Sequence, residues 1–195
     1  MQAIPDRQAA WELLCQYNQS EALRRHGLAV EGVMRHFARL LDQPDQEAWG
    51  VVGLLHDLDY EQYPDRHCIK VQEILAEAGA DPAVIRAVAS HGYGICCDIP
   101  PLHRMEKVLY TIDELTGLVN ATAIMRPSKS VMDLEVKSVK KKFKDPRFAA
   151  GVDREIIRKG CEMLELELDY VIQEVILGMR SVAEAIGLSG ENEQS

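Results

Sequence analysis

The chain has no apolar run approaching the roughly 20 residues that a membrane-spanning helix needs. Its start, MQAIPDRQAAWELL, lacks the basic opening and apolar stretch of a secretory leader. A cytoplasmic protein with no membrane partner is expected. Positive charge is scarce: 22 Lys and Arg stand against 31 Asp and Glu, a net charge of −9. No global positive field gathers DNA or RNA phosphates, so a nucleic-acid polymer is not the expected partner. Five cysteines, Cys15, Cys68, Cys96, Cys97 and Cys161, form an odd set without CxxC spacing. That argues against a disulfide framework and a Cys-rich zinc site; they are read as free thiols, and the vicinal pair Cys96-Cys97 has no assigned role. β-Branched alternation is nearly absent, which leaves little material for strands.

What is present is 195 residues, 47% hydrophobic and 27% charged, the balance of one globular domain spanning 1–195. Apolar residues recur at three and four positions throughout, so the fold class is all-α, a helical bundle. Helices are expected over 6–18, 20–42, 45–57, 65–79, 82–91, 103–121, 130–143 and 153–187, the last broken near Leu164 to Glu167. Ser20 is a cap for the segment from Glu21, and Asp81-Pro82 places a cap before a first-turn proline. HGYGICCDIPPLH, 91–103, reads as a loop, and the polar tail 189–195 as a frayed end.

Helical offsets of 3, 4, 7, 8 and 11 sort the six histidines by face. His26 heads a stripe through Val30, Val33, Met34 and Phe37. His67 aligns with Val71, Ile74 and Leu75, and His91 with Val84 and Val88. His56-Asp57 closes the apolar segment VVGLL, and Asp113 follows Leu109 and Met105 on an apolar face. His36, aligned with Gly32, Arg39 and Gln43, and His103, aligned with Glu106 and Lys107, are expected at the surface. Any one inward histidine or aspartate is an ordinary core residue. His26, His56, Asp57, His67, His91 and Asp113 together, with no buried Lys or Arg evident to neutralise them, form a donor set for one or two divalent or trivalent ions such as Fe, Mn, Zn, Ni, Co or Mg.

His26, then His56-Asp57, then Asp113 on successive helices resembles the HD superfamily of metal-dependent phosphohydrolases. HGLAVEGVMR (26–35), WGVVGLLHDLDYE (49–61) and LYTIDELTGLV (109–119) carry the resemblance. SVKKKFKDPRFAAGVDRE (138–155) is similar to an uncharacterised subgroup of predicted HD hydrolases. The resemblance implies an HD-type metal-binding core over about 20–121 with a C-terminal helical extension over about 122–188. It implies that His26, His56, Asp57 and Asp113 hold a first ion. His67 and His91 match positions that supply further ligands in dinuclear members, where Asp57 bridges. Some branches continue the dipeptide as HDxGK, whereas this chain reads HDLDY, and the double His of cyclic-dinucleotide phosphodiesterases is here Ser90-His91-Gly92.

The expected chemistry is hydrolysis of a phosphate ester or anhydride of a small phosphorylated molecule, such as a nucleotide, by metal-activated water. Asp57 is the expected bridging catalytic ligand. Asp59 is a candidate to accept a proton from the attacking water, against a plain reading as a surface or helix-end carboxylate. Lys129, Lys137, Lys140 and Lys141 are candidate phosphate contacts, with Arg126 and Lys144 beside them; a lysine run is otherwise a solvated face. Tyr60, Tyr63 and Tyr93 are candidate pocket walls. Two alternatives stand beside hydrolysis: a dinuclear-iron HD-type oxygenase, and a metal-stabilised interaction or regulatory domain without catalysis. The stripe Leu168, Val171, Ile172, Val175, Ile176, Met179, Val182, Ala183 and Ile186 is either internal packing or a homodimer seam.

Overall fold

A computed structural model describes residues 5–190. Those residues form nine α-helices and no strand, in the order α1 (Arg7–Tyr17), α2 (Glu21–Leu40), α3 (Gln46–Leu55), α4 (Lys70–Glu77), α5 (Pro82–Ala89), α6 (Arg104–Ile124), α7 (Val136–Phe143), α8 (Arg154–Leu164) and α9 (Leu168–Arg180). The all-α expectation holds. None of these helices is long and apolar enough to cross a membrane. The last five residues of the tail expected to fray, 191–195, lie outside the described residues.

Helix starts follow side-chain chemistry. Asp6, Ser20, Asp45, Asp81 and Asp153 each accept a hydrogen bond from a backbone N–H of the turn that follows, satisfying donors that have no partner within the helix. At α6 a side chain from inside the helix does this work. Glu106, buried, accepts from the backbone N–H groups of Leu102 and His103 at 2.7 and 3.1 Å, and pairs with Arg86 of α5.

The core lies around α2, which buries Ala29, Val30, Val33, Met34, Phe37 and Ala38 and packs on α3 and α9, with α6 alongside. The two long helices α2 and α6 thus supply most of the wall on which the site stands. α8 approaches α6 at Gly160, where an added Cβ would meet the Thr111 side chain at 2.1 Å and its Cα at 2.8 Å. Only glycine permits that separation.

Several expected boundaries are corrected. Residues 64–69 hold a single 3-10 turn, Pro64–Arg66, and a bend at Cys68, so α4 begins at Lys70. α5 ends at Ala89 and a second 3-10 turn, Ser90–Gly92, carries His91. Residues 130–135 are not helical: Val131 N–H donates to Leu188 C=O, and Asp133 binds Arg126 and Ser128, which ties the chain into a turn before α7. The expected C-terminal break occurs at Glu165, in left-handed conformation at φ 58°, and α9 stops at Arg180 rather than 187. Val171, Ile172, Val175, Ile176, Met179, Ala183 and Ile186 are buried in the chain's own core, with Leu168 and Val182 partly buried against it, so most of the C-terminal stripe is packed internally.

His36 is also corrected. It is partly buried between α2 and α9, where its Nε2 lies 2.7 Å from a carboxylate oxygen of buried Glu174. Glu31, on the next turn of α2, is buried too; its two oxygens accept from Arg7 at 3.0 Å each, and Oε1 also accepts from Arg35. His103 is exposed, as expected.

Candidate metal centre

The six residues expected to converge do so. His26 comes from α2, His56 and Asp57 follow the end of α3, His67 sits in the bend before α4, His91 lies in the 3-10 turn after α5, and Asp113 is on α6. Five stretches of backbone meet at one point because each carries an apolar face into the common core, taking its polar residue with it.

The donor atoms form two sets. In the first, His26 Nε2 lies 3.2 Å from His56 Nε2 and 2.9 Å from Asp113 Oδ1; His56 Nε2 lies 3.3 Å from Asp113 Oδ1 and 3.4 Å from Asp57 Oδ2. In the second, His67 Nε2 and His91 Nε2 are 3.2 Å apart, and Asp57 Oδ1 is 3.5 and 3.6 Å from them. Ligands about 2.0–2.1 Å from one ion are separated by about 2.9 Å in an octahedron and about 3.4 Å in a tetrahedron. His26 Nε2 and Asp57 Oδ2 are further apart, at 3.8 Å; the other separations lie near that spacing, and the two oxygens of Asp57 face different sets.

Tautomers are fixed by neighbours. His56 Nδ1–H donates to Gly53 C=O at 2.7 Å, His91 Nδ1–H to Val88 C=O at 2.6 Å, and His67 Nδ1–H to Asp59 Oδ1 at 2.7 Å. Each points its Nε2 at the centre, where the nitrogen offers a lone pair once its proton is lost, which is how ligating imidazoles are oriented. The residues therefore have the chemistry to hold metal. The groups His26, His56, Asp57 and His67, Cys68, His91 each bring ligand atoms within 4.8 Å of one another.

Burial opposes charge here, and the neighbours overcome it. Burial alone would push His56 down, but the Asp57 and Asp113 carboxylates carry it well above the ordinary imidazole value. Burial would raise Asp57 and Asp113, yet the adjacent imidazoles hold both well below the usual carboxylate range. Without an ion the site compensates itself as histidine–carboxylate pairs.

The site opens into a cavity of about 380 Å³ lined by His26, Asp57, His67, His91 and Asp113 together with Tyr60, Ile95, Tyr110, Val152 and Ile156. Tyr60 is there as expected, and its ring stands edge-on to His67 at 5.1 Å; Tyr63 and Tyr93 are not in the wall.

Asp59 corrects its expected role. It is fully buried, with Oδ1 on His67 and Oδ2 accepting from the Val71 N–H at 2.7 Å. It is outside the cavity, behind His67, and its geometry is that of a group orienting the His67 ring rather than a base for water.

The lysines are not brought to the centre. Among the described residues, no Lys or Arg lines the cavity. Lys140 pairs with Asp169 and Lys137 with Glu135, Lys141 and Lys129 are exposed elsewhere, and Arg126 is held by Asp133.

Two features escaped the sequence reading. Glu114, next to Asp113, lines the cavity, accepts from the Asp153 N–H at 3.0 Å, and is pushed up to about 7 by burial and by the Asp113 charge. Its only sequence signal is adjacency to Asp113. Cys96 also lines the cavity, with its Sγ 2.8 Å from that of buried Cys68; contact with the Cys68 thiol draws Cys96 down to about 7. No family description, no characterised protein and no solved structure matches the chain.

Proposed function

We propose that the chain is a metal-dependent phosphohydrolase that holds two ions and cleaves a phosphate ester or anhydride of a small phosphorylated molecule. The observation that carries this reading is the convergence of two donor sets on the two oxygens of Asp57, with three histidine tautomers locked for ligation. His26, His56, Asp57 and Asp113 would hold one ion, and Asp57, His67 and His91 the other. Divalent ions held by these residues would supply a coordinated water with its pKa lowered toward about 7 and polarisation of a phosphoryl oxygen.

The chain's own residues set charge and access. Because no Lys or Arg among the described residues lines the cavity, an anionic phosphoryl group would find its main positive charge at the ion sites. Asp57 and Asp113 offset two of the charges that two divalent ions bring, leaving a net attraction for phosphate. Ile95, Val152 and Ile156 form an apolar wall that excludes water and accepts the organic part of the substrate. Asp59 fixes the His67 ring, and Glu114 offers a carboxyl for a substrate hydroxyl or leaving group.

The test is a panel of phosphomonoesters, cyclic nucleotides and nucleoside phosphates assayed with Mn, Fe, Co, Ni, Zn or Mg, beside Asp57→Asn. Phosphate release by the wild type that falls to background in Asp57→Asn supports the reading; no turnover of any phosphate by ion-loaded protein contradicts it. The absence of Lys and Arg from the cavity favours one second reading, a di-iron oxygenase acting on an uncharged organic substrate. Iron-dependent oxygen consumption without phosphate release separates the two.

A further inference from the structure

We propose that Cys68 and Cys96 are an oxidisable dithiol whose closure to a disulfide disables the second ion subsite. This rests in part on the reading of His67 and His91 as that subsite's ligands.

Three independent features build the pair. The sulfurs are 2.8 Å apart, and Cys96 lines the cavity, so a small oxidant arriving there meets its sulfur first. Cys68 has a left-handed backbone, φ 63°, a conformation that is costly for a side chain with a Cβ and that directs this buried thiol toward Cys96. Gly92 passes beside both sulfurs, and an added Cβ would meet Cys96 Sγ at 2.2 Å and Cys68 Sγ at 2.4 Å. Any other residue at 92 would displace the pair. The loop is held in place by Gly92 C=O, which accepts from the N–H groups of Ile95 and Cys96 at 3.0 Å each.

Coupling to the centre follows from position. Cys68 immediately follows His67, and its Sγ lies 3.8 Å from His91 Nε2. A disulfide bond of about 2.05 Å requires the sulfurs to close by about 0.8 Å from their 2.8 Å contact. That movement pulls the bend bearing His67 toward the loop that follows His91, while the residues of the first subsite lie on α2, α6 and the end of α3.

The chemistry balances with a hydroperoxide as oxidant. The Cys96 sulfur attacks the peroxide, the O–O bond breaks, and a sulfenic acid forms with release of an alcohol, or of water from hydrogen peroxide. The Cys68 sulfur then attacks the sulfenic sulfur, the S–S bond forms, and its proton leaves with the hydroxyl as water. Two thiols lose two electrons and two protons, and the peroxide takes up both.

The test uses the reduced 195-residue chain in two samples, one metal-free and one loaded with zinc alone, a redox-inert ion. After hydrogen peroxide treatment, peptides are mapped without reduction and bound zinc is counted. The proposal expects a Cys68–Cys96 linked peptide that a dithiol reductant removes, and bound zinc falling from two ions to one per chain. Cys97→Ser should behave as the wild type; Cys96→Ser should form no link and keep both ions. A Cys68 thiol still open to alkylation beside over-oxidised Cys96, a Cys68–Cys97 link, or a disulfide with zinc unchanged at two would each overturn it. Reduced protein that binds no zinc would instead sink the functional reading, while the peptide map would still decide whether the dithiol forms.

Discussion

At the residue scale, Asp59 and His36 show what a side chain's partners add to its position in the sequence. Helical spacing placed Asp59 two residues beyond the His56-Asp57 pair but could not tell a surface carboxylate from a buried one. Its role is set by Val71 N–H and His67 Nδ1, which lie 12 and 8 residues away. Because it holds the ring from behind, Asp59→Asn should weaken the second ion by about 10–100-fold and leave the first in place. Competitive titration of the apo protein with zinc checks this, and equal loss at both subsites would contradict it. Alignment with Gly32, Arg39 and Gln43 marks His36 as a surface residue, whereas its ring meets Glu174 of α9. Glu31 is similar: replacing it with Gln removes the charge that Arg7 and Arg35 share and should cost about 1.5–3 kcal/mol in denaturant unfolding.

At the element scale, the amphipathic periods of α2 and α6 were legible and placed His26 and Asp113 correctly. His67 and His91 were identified by helical offsets although neither is in an α-helix; each sits in a 3-10 turn or bend next to a helix whose apolar face sets its direction. The offsets worked because the turn continues the same face into the core. The bend at Cys68 and the non-helical 130–135 stretch could not be read locally, since long-range contacts to Cys96 and Leu188 define them. The α6–α8 contact gives a sharp test. Gly160→Ala forces a methyl group against Thr111 and should destabilise the fold by about 1–3 kcal/mol, whereas removing the α2 cap with Ser20→Ala should cost about 1 kcal/mol. Chemical denaturation of the two variants checks both, and a neutral Gly160→Ala would mean that the helices sit further apart.

At the scale of the whole molecule, the centre joins α2, the end of α3, the turns beside α4 and α5, and α6, so ions bound there cross-link most of the bundle. Ligand binding to the folded state alone adds about 2.7 kcal/mol per site at a hundred-fold excess over Kd. For a chain of this size that corresponds to about 5–10 °C in Tm, reversed by a chelator. Calorimetry with and without zinc measures it, and an unchanged Tm would mean that the ions do not bridge these elements. Which residues meet was legible from faces; what lines the cavity was not. Of the lysines that were candidate phosphate contacts, Lys140 and Lys137 are held elsewhere by Asp169 and Glu135.

The most direct test of the two-ion centre is elemental analysis of protein purified without chelator, alongside His26→Ala and His67→Ala. The account predicts two ions per chain in the wild type and one in each variant, lost from opposite sides of Asp57. No bound metal in the wild type, and none taken up from Mn, Fe, Co, Ni or Zn, would contradict it.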